Sequence, residues 1–390
     1  MAETNFYVSH SGDNGNDGSL AHPFRTIPAA ITAIGALAKP PSTAEADLSA
    51  NINLINDAPY MLNAGDQGDI YVNMSVSGNV AYNNWVTIQS ANPLSPATIQ
   101  RDATSTGSYM LAIAENNCRV RYVNFVGASA ADTVTCIYLN GASAKTGFII
   151  DECDLSLVGS GIVYGANISV GRIQNNKISL NNLVNTTGIK HPSGCFIYGN
   201  SIKIPVASDK TGQKGILSGA SNAVIIGNTI ANFAHSASFP DIANNGQAIR
   251  ELSVAPFIAN NTMYNCTYGV LLSGATVITL GIYNNIYIGT GIAFGRTTTG
   301  NGTILLLDYN DAFGGTYSNL TPGSHSITSD PLFVDAVNGD FRLQPGSPCL
   351  NSGMPTLNSG YTTMGAWQGA IAKKAIANRE RYNFSDMYKP

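Results

Sequence analysis

Residues 189–230 carry the same short pattern twice, and that repetition limits what the whole chain can fold into. The first copy reads I-K-H-P-S-G-C-F-I-Y-G-N-S-I from Ile189 to Ile202. After a polar loop, I-L-S-G-A-S-N-A-V-I-I-G-N-T-I follows from Ile216 to Ile230. Each copy holds a short strand, a turn of small residues, and a second apolar run that closes on Asn-x-Ile. Apolar strands joined by small turn residues and recurring every few tens of residues mark a solenoid.

Two columns emerge when the copies are aligned along the chain. The asparagine column runs Asn124, Cys153, Asn176, Asn200, Asn228, Asn261, Asn285 and Asn310, at intervals of 29, 23, 24, 28, 33, 24 and 25 residues. A coil of that length supplies three strands and three turns. An Asn at the same turn of each coil can bond the next coil's backbone, in the left-handed or bridging conformation that Asn tolerates. Cys153 interrupts this ladder. The second column, upstream, is Ile137, Ile162, Ile189, Ile216, Ile249, Val270 and Ile292. These point inward, so alternation turns the next residues outward: Tyr138, Val163, Lys190, Leu217, Arg250, Leu271 and Ala293.

The chain of 390 residues suits one continuous repeat array. Only 11% of its residues are charged, against about 25% in a typical domain. Asn, Ser, Thr and 40 glycines take their place, which favours tight turns and side-chain ladders. The net charge of −4 gives no general attraction to nucleic acid or anionic membranes. No run of about 18 apolar residues exists, which excludes a helical membrane span. Met1-Ala-Glu-Thr4 has neither a basic nor an apolar stretch, so no signal peptide is expected there. Either export follows another route, such as carriage on a virion, or a leader has been replaced. Cys118, Cys136, Cys153, Cys195, Cys266 and Cys349 keep no regular spacing. They read as buried free thiols, with one or two disulfides between neighbouring coils as the alternative.

From Phe6 the chain reads F-Y-V-S-H-S-G-D-N-G-N-D-G-S-L-A-H-P-F-R-T-I. A strand leads through a Gly/Asp/Asn turn cluster to an amphipathic helix bearing Ile27, Ala30, Ile31 and Ile34, with Thr26 to cap it and Pro28 in its first turn. Near the other end stand S-D-P-L-F-V-D (Ser329–Asp335), G-D-F-R-L (Gly339–Leu343) and G-S-P-C-L (Gly346–Leu350). Both signatures resemble those of right-handed parallel β-helix proteins of the pectate-lyase-like superfold. The resemblance implies an all-β, right-handed parallel β-helix with an N-terminal capping helix over the first coil. It implies one domain at 1–372, with strand and helix at 1–38 and an insertion at 39–67 ahead of Gly68-Asp-Ile-Tyr-Val72. Coils fill 68–328, and a closing segment at 329–372 ends in the usual final strand, Gly365-Ala-Trp367. Residues 36–49 read as a loop or an added helix, and 373–390 as a charged tail outside the repeat.

A regular solenoid has no cleft, so a substrate site must come from an outward strand face walled by long loops. The longest asparagine intervals, 200–228 and 228–261, carry their extra residues at 205–214 and 233–246, just ahead of a coil's first strand. Lys190 and Arg250 face outward there, two coils apart, about 10 Å at the usual strand spacing. The loops bring His235, Asp209, Lys210, Lys214 and Asp241 beside them. Cations in an otherwise apolar column suit an anionic sugar; the alternative is that both are solvated charges keeping the sheet soluble.

Polysaccharide lyases of this superfold need a base for the proton α to a uronate carboxylate, and a cation or donor to neutralise that carboxylate. On this reading Lys190 is the base and Arg250 the carboxylate partner or second catalytic cation, with His191 and His235 as further acid–base candidates. Lys210, Lys214, Asp209, Asp241 and Tyr138 line the substrate. His191 and Glu251, next along their strands, also suit a buried hydrogen-bonded pair. Asn245-Gly-Gln-Ala-Ile-Arg250 resembles the N-G-G-E-x-I-R strand of alginate- and chondroitin-cleaving β-helix lyases, with Gln247 in place of its acidic residue, which undermines a calcium site there. Asp151-Glu-Cys-Asp154 is the dense acidic cluster of the repeat; neighbours on a strand point oppositely, so it reads as a solvated turn, with Ca²⁺ as the open alternative. A hydrolase would need carboxylates about 5 to 9.5 Å apart, and Asp209 with Asp241 is the loop pair available. The Asn-Thr-Asp, Asp-Asp and Gly-His-Gly signatures of polygalacturonase-like hydrolases are missing.

Three functions are left, in order: a lyase on a uronate polysaccharide, a non-catalytic glycan-binding or spike protein, and a glycoside hydrolase. The expected protein is an extracellular or virion-associated monomer or homotrimer, with polysaccharide as its partner.

Overall fold

Alternating strands of about five residues bury one face and expose the other, and here they stack into three parallel rows. The computed structural model describes residues 3–37, 49–63, 65–68, 70–72, 85–114, 117–205, 210–218, 221–234, 246–252, 256–273, 281–297, 304–356 and 360–366. Row one includes Tyr109–Ile113, Thr187–His191, Lys214–Ser218, Gln247–Glu251, Tyr268–Leu272 and Ile292–Arg296. Row two includes Phe196–Tyr198, Val224–Ile226 and Phe257–Ala259, and row three Ser201–Lys203, Thr229–Ala231 and Thr262–Tyr264. Thr135–Asp151 and Ser160–Gln174 each run unbroken from row one into row two. Rows one and two therefore form a single 19-stranded sheet, while row three is a 10-stranded sheet. Each coil climbs through row one, row two, a tight turn and row three, and then loops back.

The core is the inside of this tube. Ile137, Ile162, Ile189, Ile216, Ile249 and Val270 lie in register, each at most 1% exposed. Facing them from row three are Ile178, Ile202 and Ile230, equally buried. Space between the rows is short at Gly188, where an added Cβ would stand 2.5 Å from Ile202 Cγ2 and 2.6 Å from the Gly215 carbonyl oxygen. Only glycine lets the isoleucine of row three rest on the backbone of row one.

The asparagine ladder sits at the tight turn between rows two and three. The backbone N–H of Asn200 donates to Asn228 Oδ1 at 3.0 Å, that of Asn228 to Asn261 Oδ1 and that of Asn261 to Asn285 Oδ1, each also at 3.0 Å. Asn176 opens this chain of carboxamides and Asn310 closes it. Two details differ from the sequence expectation. The left-handed residue is the one before each ladder Asn: Asn175, Gly199, Gly227, Asn260 and Asn284 have φ of 54–67°. The ladder Asn is thus freed to turn its side chain inward. The strand register also puts Asn124 opposite Asp154, so Val123, one residue earlier, occupies the column. Cys153 does take a ladder position, and its Sγ faces the Val120 and Asp151 carbonyls at 3.7 and 3.4 Å.

The expected strand and helix open the chain, as Glu3–Val8 and Ile27–Gly35. Thr26 Oγ1 accepts from the Ala29 N–H, and Ile27, Ala30, Ile31 and Ile34 turn inward to the core. Residues 49–62, read from sequence as part of an insertion, are strands of the first coil: Ser49–Leu54 pairs with Val86–Ser90, and Tyr60–Leu62 with Ala97–Arg101. In the last coils Val270 pairs with Phe294 and Leu271 with Gly295, two residues beyond the expected Ile292 and Ala293. Past the repeat, Phe333–Asp335 and Asp340–Leu343 form one antiparallel hairpin, and Gly353–Thr356 and Gly360–Thr362 a second. Gly365 and Ala366 form a bend, not a strand, and their N–H groups donate to the Asn284 carbonyl and Thr262 Oγ1. Trp367 and the 373–390 tail lie outside the described residues. All six cysteines are buried, and none of them forms a disulfide.

Candidate functional site

The outer face of row one is where polar chemistry collects. Strand pairing sets Tyr138, Val163, Lys190, Leu217, Arg250, Leu271 and Gly295 in one outward column. Lys190, Leu217 and Arg250 are half-buried there. Lys190 and Arg250 stand two coils apart, about 10 Å along the tube. Between them lies the strand that starts at Lys214, whose residue pairs are Thr187 on one side and Gln247 on the other.

Lys214 was expected only to line the substrate, and its surroundings give it more than that. Its Nζ donates to the Gly212 carbonyl at 2.8 Å. Burial, and then the charge of Arg250, hold its pKa below the ordinary lysine value. Both effects favour the neutral amine, the form that accepts a proton. The sequence signal was present but indirect: Lys214 stands immediately before Gly215, the small residue of the column that also holds Gly188.

Tyr138 lies on the same face, two coils before Lys190. Its ring stacks with Tyr109 at a centroid distance of 5.7 Å and an interplanar angle of 15°. It also covers Gly165, where an added Cβ would come within 2.3 Å of the Tyr138 hydroxyl.

His191, expected as an acid–base candidate, is not on this face. Alternation turns it inward, fully buried, with Nε2 3.0 Å from Glu251 Oε1. It has no path to a substrate outside the tube. Lys210 is exposed just ahead of the Lys214 strand. His235, Asp209 and Asp241 lie outside the described residues. The acidic run 151–154 is dispersed: Arg119 pairs with the buried Asp151, Glu152 accepts from Asn175, and Asp154 faces Lys177 on row three. Among the described residues no group of three or more His, Cys, Asp or Glu could hold a metal ion. Among them, too, no helix is long and apolar enough to cross a membrane. On the outer face of row three, Asp154, Lys177, Ser179, Ser201 and Lys203 line a separate depression of ≈ 390 Å³.

No protein-family model matches the chain, and no curated protein matches it. Among solved structures it is similar to pectate lyase Pel9A, at 16% identity and a TM-score of 0.61, over 94% of this chain and 96% of that one. It is also similar to a rhamnogalacturonan lyase (10% identity, TM-score 0.40, 95% and 98% covered) and to an alginate lyase from a Paenibacillus species (14%, 0.33, 78% and 97%). The likeness to Pel9A runs from end to end and agrees with the three parallel rows: the chain folds as a parallel β-helix.

Proposed function

We propose that the outer face of row one binds an anionic, uronate-containing polysaccharide and cleaves it by β-elimination. The observation that carries this reading is the gathering of Lys190, Lys214 and Arg250 on three successive coils, with Lys214 biased toward its neutral form by burial and by Arg250. A fold shared with a pectate lyase supports the same substrate class.

In this scheme Arg250 and Lys190 hold the uronate carboxylate, which acidifies the α-proton. Lys214 takes that proton, a role the sequence reading had given to Lys190. The C–H electron pair forms the new C=C bond, the glycosidic C–O bond breaks, and the departing oxygen takes a proton from solvent water, to which Lys214 later returns the one it removed. Tyr138, beside Gly165, offers a ring on which a sugar further along the chain stacks.

The test is ultraviolet absorbance of unsaturated product from pectate, alginate, hyaluronan and chondroitin. Activity on one polymer is expected, with Lys214→Ala reducing kcat about 10²- to 10⁴-fold, the usual contribution of a general base. Binding without product would make this a non-catalytic glycan-binding protein. Neither binding nor product would overturn the reading.

A further inference from the structure

We propose that His191 and Glu251 form a positioning pair, a buried clamp that fixes the strand bearing Lys190 relative to the strand bearing Arg250. The inference rests on the proposed polysaccharide-binding face of row one. Each clamp residue is the direct chain neighbour of a proposed substrate-binding cation.

Both side chains are fully buried, and His191 Nε2 lies 3.0 Å from Glu251 Oε1. His191 Nδ1 lies 3.0 Å from the Pro192 carbonyl oxygen. Both ring nitrogens thus face oxygen acceptors, and a neutral imidazole carries only one N–H. Two protons must be shared between the ring and the carboxyl, which an imidazolium–carboxylate pair supplies. Burial opposes the charged ring, but the charge and the hydrogen bond of Glu251, together with the Pro192 carbonyl, outweigh it and raise the histidine pKa above its ordinary value.

The pair skips a coil. His191 is in register with Ser218, on the strand between. The pairing of Lys214–Ser218 with Gln247–Glu251 runs from Lys214–Gln247 to Leu217–Arg250, and Glu251 pairs onward with Leu272. At the end of the strand that carries Arg250, the Glu251 side chain adds a direct tie, across the intervening strand, to the strand that carries Lys190. The clamp closes 60 residues of chain, including both long loops.

A buried ion pair is a poor net stabiliser. Well-packed apolar replacements of similar volume are often neutral or better, whereas removing one partner is costly. The best-attested benefit of such a pair is register. That distinction supplies the experiment: His191→Leu combined with Glu251→Leu, alongside Glu251→Gln alone, assayed for Tm, kcat and KM on the polymer that the wild type cleaves. The leucine pair is expected to melt like the wild type while kcat falls about tenfold or more at little-changed KM, since an ångström of misplacement is worth up to ~10²-fold. Glu251→Gln keeps a hydrogen bond without the charge; it is expected to fold and to turn over at an intermediate rate, and it decides the matter if the leucine pair does not fold. Wild-type kcat in the folded variants would show that the pair only fills space, and would overturn the proposal while the lyase reading stands. A wild type without elimination activity overturns both.

Discussion

Asn228 satisfies more backbone than any apolar residue could at the same turn. Its Oδ1 accepts from the Asn200 N–H and from Asn200 Nδ2, and its own Nδ2 donates to the Ile197 and Ile226 carbonyls at 3.1 and 3.2 Å. All of this happens at 0% exposure. Asn228→Ala strands several buried polar groups, each worth about 1–3 kcal/mol when unsatisfied, so its urea midpoint is expected to fall well below the wild-type value. Cys153→Asn should be tolerated, because the Cys153 thiol already faces the carbonyls that a carboxamide would meet. On the outer face, Lys214 and Arg250 make a second prediction. A base works deprotonated, so kcat/KM should rise with pH through the Lys214 pKa, which lies below the ordinary 10.5. Removing the positive charge of Arg250 favours the ammonium, so the rising limb of the pH–rate profile of Arg250→Gln is expected to move to higher pH. An unmoved limb would mean that Lys214 is not the base. Lys190 and Arg250 were legible from alternation alone, because an outward column in a regular coil needs only the inward one. Lys214 was not, because its bias comes from burial and a neighbour 36 residues away in sequence, neither of which a single strand displays.

The element that closes the tube is held by a buried acid. Asp311 lies on row three, paired with Ile286, and its Oδ2 accepts from the Cys349 thiol at 3.1 Å. Cys349 packs with Ile286 and Met364 in a small second core beneath the two closing hairpins. Burial pushes the Asp311 carboxyl up to about 7 from 3.8. The folded state therefore keeps a proton that the unfolded chain releases near 3.8, and stability falls as pH rises from there to about 7. Melting followed by tryptophan-independent circular dichroism should show that decline in the wild type. Asp311→Asn, which is neutral throughout, should lose that part of the pH dependence; an identical decline would show that the acid is not responsible. The closing motifs announced this segment, but Asp311 was invisible beforehand because nothing in the motif says which row the hairpins cover. The first coil was hidden for a similar reason. Strands Ser49–Leu54 and Tyr60–Leu62 precede any full repeat, and the one earlier strand that Ser49–Leu54 pairs with, Glu3–Val8, belongs to the opening segment and not to a full coil.

At the scale of the whole molecule, the tube is a stack in which each coil buries its aliphatic residues against the next. Ile216, at 0% exposure in the middle of that stack, is expected to cost about 2–5 kcal/mol on substitution by Ala, read as a lowered denaturation midpoint. Sequence periodicity was sufficient for the rows and the ladder, yet it placed the last coil two residues early. The strand does not alternate strictly there, since Ala293 and Phe294 are both fully buried, so a count of alternate positions misses the register. The same stacking makes the outer face of row one a continuous track, from Tyr109 and Tyr138 past Lys190 and Lys214 to Arg250. The most direct measurement is a crystal structure of the protein soaked with an oligouronate. Density is expected along this track, with a carboxylate between Lys190 and Arg250 and a sugar ring on Tyr138. Density instead in the row-three depression beside Lys177 and Lys203, with the track empty, would contradict the account.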